Sequence, residues 1–346
     1  MADGSSTLGA LVPADLGELL RTRVLQVRRP VLGRRHGRHA ARRVGLGLDF
    51  RDHRAYVPGD DPRQLDWRAV ARRDRLVLRQ TEAEDELSLV IVLDAGANMA
   101  YGEGPHAKFA AARALAAAFA WTAIRQGDRV GLVTARDGDI DTSLLRPATG
   151  PDRLEAVARS LGRSEPKGRA PMRGLLTRVA ARLPARTVVL FVSDLLDAAT
   201  QVGAPPKTPS APGVSPSTTD DADEVQAEVL GGLAQLRARG HDLVVLQTLH
   251  RDEVEFPWDG HRLLRFVDPR GLRVDIEGTA ASLRTRYLER FETHLRALDS
   301  ACEAQGVMLA RVISDEPLAR TFATLLGRLA GDVDADADAD AEVVPR

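Results

Sequence analysis

The 346-residue sequence predicts an α/β fold, a doubly wound and mostly parallel sheet with a smaller N-terminal region ahead of it. Two observations predict it. Short continuous apolar runs recur at residues 88–93 (SLVIVL), 129–134 (RVGLVT), 187–192 (TVVLFV) and 242–248 (DLVVLQT). Each is too short for a buried helix, and two of them run out at Asp94 and at Ser193-Asp194. Between them lie segments with helical periodicity, at 106–125, 151–162, 171–183 and 224–239. Strands buried on both faces and alternating with helices form a parallel sheet with helices above and below it.

The remaining elements follow in order. Residues 14–28 carry Leu16, Leu19, Leu20, Val24 and Val27 near one face of a short amphipathic helix. Phe109, Ala112, Ala116, Phe119 and Ala123 recur about once per turn in the Ala-rich helix 106–125, which Gly127-Asp128 terminates. Two short strands at 262–267 and 271–276 flank Pro269-Arg270-Gly271, a hairpin signal. A long helix at 280–304, a strand at 307–313 and a helix at 317–329 close the domain. Residues 201–222 are rich in Pro, Ser, Thr and Gly and are expected to be a disordered insertion. Residues 331–346, with the run DVDADADADAE, are expected to be a disordered acidic tail, because Asp and Ala are poor strand formers. The organisation is thus an N-terminal region at 1–86, an α/β domain at 87–330 and the tail.

Composition narrows the function. Hydrophobic residues make up 44 %, enough for a sizeable core, but aromatics are only 4 %, so Leu, Val and Ala must fill it. A net charge of −1 argues against overall attraction to nucleic acid or to a membrane surface. Cys302 is the single cysteine, so an internal disulfide is impossible and a reduced compartment is expected. No apolar run approaches the ~20 residues that span a bilayer. The first residues lack the pattern of a signal peptide. Cytoplasmic localisation without membrane insertion is the expectation. One local asymmetry stands out: between Glu18 and Asp49 there are nine arginines and no acidic residue. Without aromatics for base stacking in that block, a solvated face is favoured over a nucleic-acid surface.

The most distinctive segment is 45–67, GLGLDFRDHRAYVPGDDPRQLDW. Pro58-Gly59 forms a turn, Asp60 or Asp61 caps a following helix, and Pro62 suits its first turn. Arg63 and Asp66 lie three apart and can pair, and Trp67 and Val70 are expected to pack inward. With Asp49, Asp52 and Arg54 nearby, the segment is either a charge network holding a tight turn or a partner surface. Tyr56, Pro58, Gly59, Asp60, Asp61, Arg63, Leu65, Asp66, Trp67, Ala71 and Arg72 match the pattern Y-x-P-G-D-D-x-R-x-I-D-W-x-x-x-A-R, with Leu for Ile. In this the chain resembles the bacterial domain-of-unknown-function family 58, over about residues 40–330 apart from 201–222. The resemblance implies a von Willebrand factor A-like domain, association with MoxR-type AAA+ ATPases, and a non-enzymatic adaptor role. It marks Arg54, Tyr56, Gly59, Asp60, Asp61, Arg63, Asp66 and Trp67 as signature or interaction residues.

Von Willebrand factor A-like domains often hold a divalent cation through D-x-S-x-S at the end of the first strand, with a Thr and a second Asp from neighbouring loops. Here the first loop reads Asp94-Ala95-Gly96-Ala97-Asn98, and Asp194 matches the later Asp. Gly96 and Asn98 replace the serines, and Met172-Arg173 stands where a Thr-Asp pair is common. Asp94, Asn98 and Asp194 are therefore a degenerate metal set, expected to hold Mg²⁺ weakly or not at all, and Arg173 is a candidate to pair with Asp94 or Asp194 in its place. No other cofactor is expected. The rival readings are a metal-dependent hydrolase using Asp60, Asp61, Asp94 and Asp194, and nucleic-acid binding through the arginine block. Cys302 in a long helix is expected to be a buried apolar thiol, and His241 a structural turn residue. His36 and His39 have metal-like spacing but no carboxylate or thiol beside them.

Overall fold

The structure, a computed structural model, describes residues 9–22, 44–45, 49–56, 65–67, 70, 76–82, 87–135, 144–168, 170, 172–184, 187–196, 220–267 and 275–330. It divides into two compact units, residues 33–86 and the remainder of the chain.

The unit at 33–86 contains β1 (Val44–Gly45), β2 (Asp49–Ala55) and β3 (Val77–Glu82). They form an antiparallel sheet in the order β1-β3-β2, with a register shift between Phe50 and Asp52. The sequence reading assigned no strand to 49–55. Acids and arginines make up most of it, and pairing with β3 satisfies the backbone of this polar stretch. Trp67 is corrected as well: its indole is 65 % exposed rather than packed inward, and Leu76 is also exposed. A three-stranded sheet of this size has too little interior to cover every large apolar side chain.

The larger unit is built on six strands in the order β11-β8-β7-β4-β5-β6. These are β4 (Ser88–Asp94), β5 (Arg129–Ala135), β6 (Leu145–Ala148), β7 (Thr187–Ser193), β8 (Asp242–Leu249) and β11 (Met308–Ile313). All pairings are parallel except that of β6, an antiparallel edge strand. A separate antiparallel pair, β9 (Leu263–Phe266) and β10 (Ile276–Thr279), is a hairpin whose second strand lies at 276–279 rather than at the expected 271–276. Its Pro-Arg-Gly connection lies outside the described residues.

Period-two alternation sorts the strand side chains into two cores. Ile91, Leu93, Val130, Leu132, Leu190, Val192, Val244 and Leu246 face one layer of helices. That layer holds α1 (Ala14–Thr22), α2 (Lys108–Arg125), α3 (Pro151–Arg163) and α8 (Leu318–Ala330). Val90, Val92, Val133, Val189, Phe191, Leu243 and Val245 face the other. There lie α4 (Met172–Arg182), α5 (Asp220–Ala238) and α7 (Ala280–Ala304). Helix α2 is buried nearly all round, which its alanines permit because helix and sheet backbones can approach closely over them. Helix α1 also joins this unit. Val12, Leu16 and Leu20 enter the core, and Asp15 Oδ2 accepts a hydrogen bond from the Ala319 amide at the start of α8. Helix α5 begins at Asp220, inside the stretch 201–222 expected to be disordered, while 201–219 and the tail 331–346 lie outside the described residues.

Candidate functional site

The strand order itself locates a site. β4 is flanked by β5 on one side and β7 on the other. The chain leaves β4 through β5 and β6, then returns across it to β7. At such a reversal the connections diverge above and below the sheet and leave a crevice at the carboxyl ends of the strands. The residues that end β4 and β7 are Asp94 and Ser193, followed by Asp194.

All three are buried and interlocked. Asp94 Oδ1 accepts from the Gly96 amide at 2.8 Å, and Oδ2 accepts from the Ser193 hydroxyl at 2.6 Å. Ser193 Oγ in turn accepts from the Leu195 amide at 3.1 Å, and Asp194 Oδ1 accepts from the Leu196 amide at 3.2 Å. The loop after β7 therefore folds back on its own side chains, and this holds Leu195 at φ 54°, a left-handed conformation that a branched residue rarely adopts. Asn98 sits half-buried in the 3-10 turn Ala97–Ala100 that leaves β4.

The second oxygen of Asp194 belongs to a residue that the sequence reading passed over. Lys108, in the first turn of α2, is 1 % exposed, and its ammonium donates to Asp194 Oδ2 at 2.8 Å and to Glu253 Oε1 at 2.7 Å. Burial would depress the Lys108 pKa, but the facing carboxylates of Asp194 and Glu253 outweigh it and hold the group above its ordinary value. Burial raises the Glu253 pKa, with Lys108 opposing. Glu253 belongs to the short helix α6 (Arg251–Glu255), where its other oxygen accepts from the His250 amide at 2.8 Å and completes a capping box with His250. Tyr101 covers this cluster from the loop before α2. Its hydroxyl donates to Asp252 Oδ2 at 3.1 Å and its ring stands edge-on to His250 at 5.1 Å. The Tyr287 hydroxyl, from α7, donates to the Glu253 carbonyl at 2.8 Å.

Two signals could have revealed Lys108 and Glu253. A lysine in the first turn opposes the helix dipole and needs anions close by. His250-x-x-Glu253 is a capping box with His in the place of Ser or Thr. The loop Asp94 to Asn98 drew attention on its pattern alone, and charge complementarity across the fold cannot be seen in one segment.

These residues do not fit a divalent cation. An ion bound to Asp194 would share that carboxylate with an ammonium 2.8 Å away. A Cβ at Gly96, where a ligating serine would begin, would lie 3.1 Å from Asp94 Oδ1 and 3.4 Å from the Ala170 Cβ. Met172 and Arg173 lie in the first turn of α4 rather than in a loop. Among the described residues, no group of three or more His, Cys, Asp or Glu is placed to hold a metal.

Of the signature residues, Arg54 lies in β2, and the Tyr56 amide bonds to the Leu76 carbonyl at 2.9 Å. Asp66 accepts through its carbonyl from the Val70 amide, one helical turn beside Trp67. Gly59, Asp60, Asp61 and Arg63 lie outside the described residues, as do His36, His39 and all of the arginine block except Arg21. Cys302 lies on the buried face of α7, and burial pushes its thiol up to about 11, so it stays protonated.

Two buried histidines make the fold acid-sensitive. His241 Nδ1 accepts from the Thr187 amide at 3.4 Å, which requires an unprotonated nitrogen. His294 Nε2 is buried without a hydrogen-bond partner among the described residues. Burial lowers both pKa values below the ordinary 6.5. The unfolded chain therefore takes up protons first, so this stability is intact above 6.5 and is lost as the pH falls below it. The urea midpoint is expected to drop between about pH 6.5 and 5, and the His241→Asn/His294→Gln double variant should flatten that slope. An unchanged slope in the double variant would assign the acid sensitivity elsewhere.

Among the described residues, no helix is long and apolar enough to cross a membrane. A curated relative, the uncharacterized protein Rv1480 of Mycobacterium tuberculosis, is 31 % identical over 192 residues, 54 % of this chain. This chain spans 60 % of that relative's length. A von Willebrand factor type A structure from Catenulispora acidiphila covers 74 % of this chain and 44 % of its own, at 14 % identity and a TM-score of 0.36. An aerotolerance-related membrane protein from Bacteroides fragilis covers 71 % of this chain and 100 % of its own, at 11 % identity and a TM-score of 0.38. Residues 52–210, from the signature through the strand that ends at Ser193, match the family model described as protein of unknown function DUF58.

Proposed function

We propose that this chain is a non-enzymatic adaptor of the cytoplasm that works with a MoxR-type AAA+ ATPase and docks through the carboxyl edge of its parallel sheet. One observation carries the reading. The acidic groups at the switch point, Asp94, Asp194 and Glu253, are each engaged by a hydroxyl, an amide or the Lys108 ammonium. Carboxylates tied down in this way are poorly suited to activate water, since a general base must be able to take up a proton. They are well suited to fixing the shape of the loops around them, and a rigid surface loses little entropy when a partner binds. The resemblance through the Tyr56 to Arg72 signature supports the choice of partner.

The test is a binding titration between the full chain and a purified MoxR-type ATPase. Glu103→Arg and His106→Glu change exposed residues of the loop that follows β4, and Arg129→Glu changes the opposite end of the sheet. The first two are expected to weaken the complex at least about tenfold, or about 1.4 kcal/mol, and the third to leave it unchanged. A complex that forms equally well with all three variants would remove the strand-end edge as the docking surface. No complex at all would remove the partner.

A further inference from the structure

We infer that Lys108 is a tethered substitute for a metal ion: its ammonium supplies the positive charge that the carboxyl-edge site needs, and its removal uncovers a latent divalent-cation site formed by Asp194 and Glu253.

The ammonium sits between two carboxylates from different elements, 2.8 Å from Asp194 after β7 and 2.7 Å from Glu253 in α6. It thereby does what a bridging ion does, joining loops that carry like charge. The neighbouring cation cannot take over this role. Arg251, on the same short helix as Glu253, is engaged by Asp315 at 2.7 Å and Glu255 at 2.9 Å. The side chain is also built in rather than draped over the surface: it is 1 % exposed, and its stem is enclosed at the start of a helix that is itself buried. A buried ammonium anchored by its own backbone cannot be diluted or chelated away, so the loops around it are assembled at any concentration of free metal. The balance of charge points the same way. One lysine faces two carboxylates, and taking the lysine away leaves a buried Asp194 and a part-buried Glu253 from separate elements directed at one space. Vacating the stem beyond Cβ makes room for a hydrated ion held by one or two carboxylates and several waters, the arrangement that Mg²⁺ and Mn²⁺ favour.

The inference stands whether or not the ATPase partner is confirmed, because its probe is the metal alone. Full-length protein is titrated with MnCl₂ by calorimetry and by thermal unfolding. The wild type is expected to show no saturable binding, and an unfolding midpoint indifferent to MnCl₂, MgCl₂ or EDTA. Lys108→Ala is expected to unfold at lower temperature and to recover on addition of MnCl₂. The gain should be about 4–8 °C at roughly a hundredfold excess over Kd. The Lys108→Ala/Asp194→Asn double variant should lose that response. A saturable Mn²⁺ site in the wild type that Asp94→Ala abolishes would overturn the inference, and so would a folded Lys108→Ala protein that ignores Mn²⁺. If Lys108→Ala does not accumulate in folded form, Lys108→Ser, which also vacates the stem beyond Cβ, is judged by the same criteria.

Discussion

Replacing Asp194 with alanine is expected to destabilise the fold by about 3–5 kcal/mol, because it leaves the Lys108 ammonium buried with only Glu253 beside it. The size of the loss comes from desolvation rather than from the strength of the pair. An ion pair formed in water is worth little, but a buried charge that loses its counter-charge has neither solvent nor partner. The same reasoning predicts strong coupling. Lys108→Met alone exposes two carboxylates to each other, whereas Lys108→Met combined with Asp194→Ala removes the ammonium and one acid together. The double variant is therefore expected to lose less stability than the sum of the single losses, by up to about 3 kcal/mol. Urea melts of the four proteins measure this directly, with the slope of the transition serving as the check that all unfold from the same native state. A loss below about 1 kcal/mol for Asp194→Ala would mean that water reaches the ammonium and that the cluster is a surface pair.

The other large effect is expected at Phe322 in α8. Its side chain is 0 % exposed and meets Phe119 of α2 edge to face, with ring centroids 4.8 Å apart. Phe322→Ala is expected to cost about 3–5 kcal/mol through lost burial and the cavity left behind. The upper half of that range is favoured by the neighbours. Helix α2 presents mainly alanines, which have no side-chain length with which to fill the space, and rigid backbone can relax only slightly. Leu16 and Leu20 of α1 belong to the same core, so α1 should loosen with it. Hydrogen exchange in residues 14–22 would then rise in the variant. A denaturant midpoint close to wild type, with α1 still protected, would show that the helices close over the gap.

Much of the architecture was legible in the chain. The runs ending at Leu93, Val192 and Thr248 are strands because they are short, apolar on both faces and bounded by turn residues, and their periodicity survives without any partner. The helices at 106–125 and 280–304 were legible for the same kind of reason, since a 3.6-residue period is a property of one segment. The strand at 49–55 was not, because its residues are charged and only its ladder with β3 makes it a strand. Trp67 was misjudged because helical spacing says which residues share a face but not whether another layer covers that face.

The candidate site divides along the same line. Asp94 and Asp194 could be singled out because each follows an apolar strand, and in a parallel sheet the ends of such strands lie on one edge. Lys108 and Glu253 each carry a local signal, but their meeting could not be read, because they stand 145 residues apart. What the sequence by itself determined was therefore the set of elements, their alternation and the edge on which the acids fall, all of which depend on local periodicity. What only the tertiary structure decided was the order of the strands, the attachment of α1 to the larger unit and the filling of the switch point by an ammonium. These depend on which distant side chains share the same low-dielectric space, where a lone charge is too costly to bury and a matched one holds the loops together.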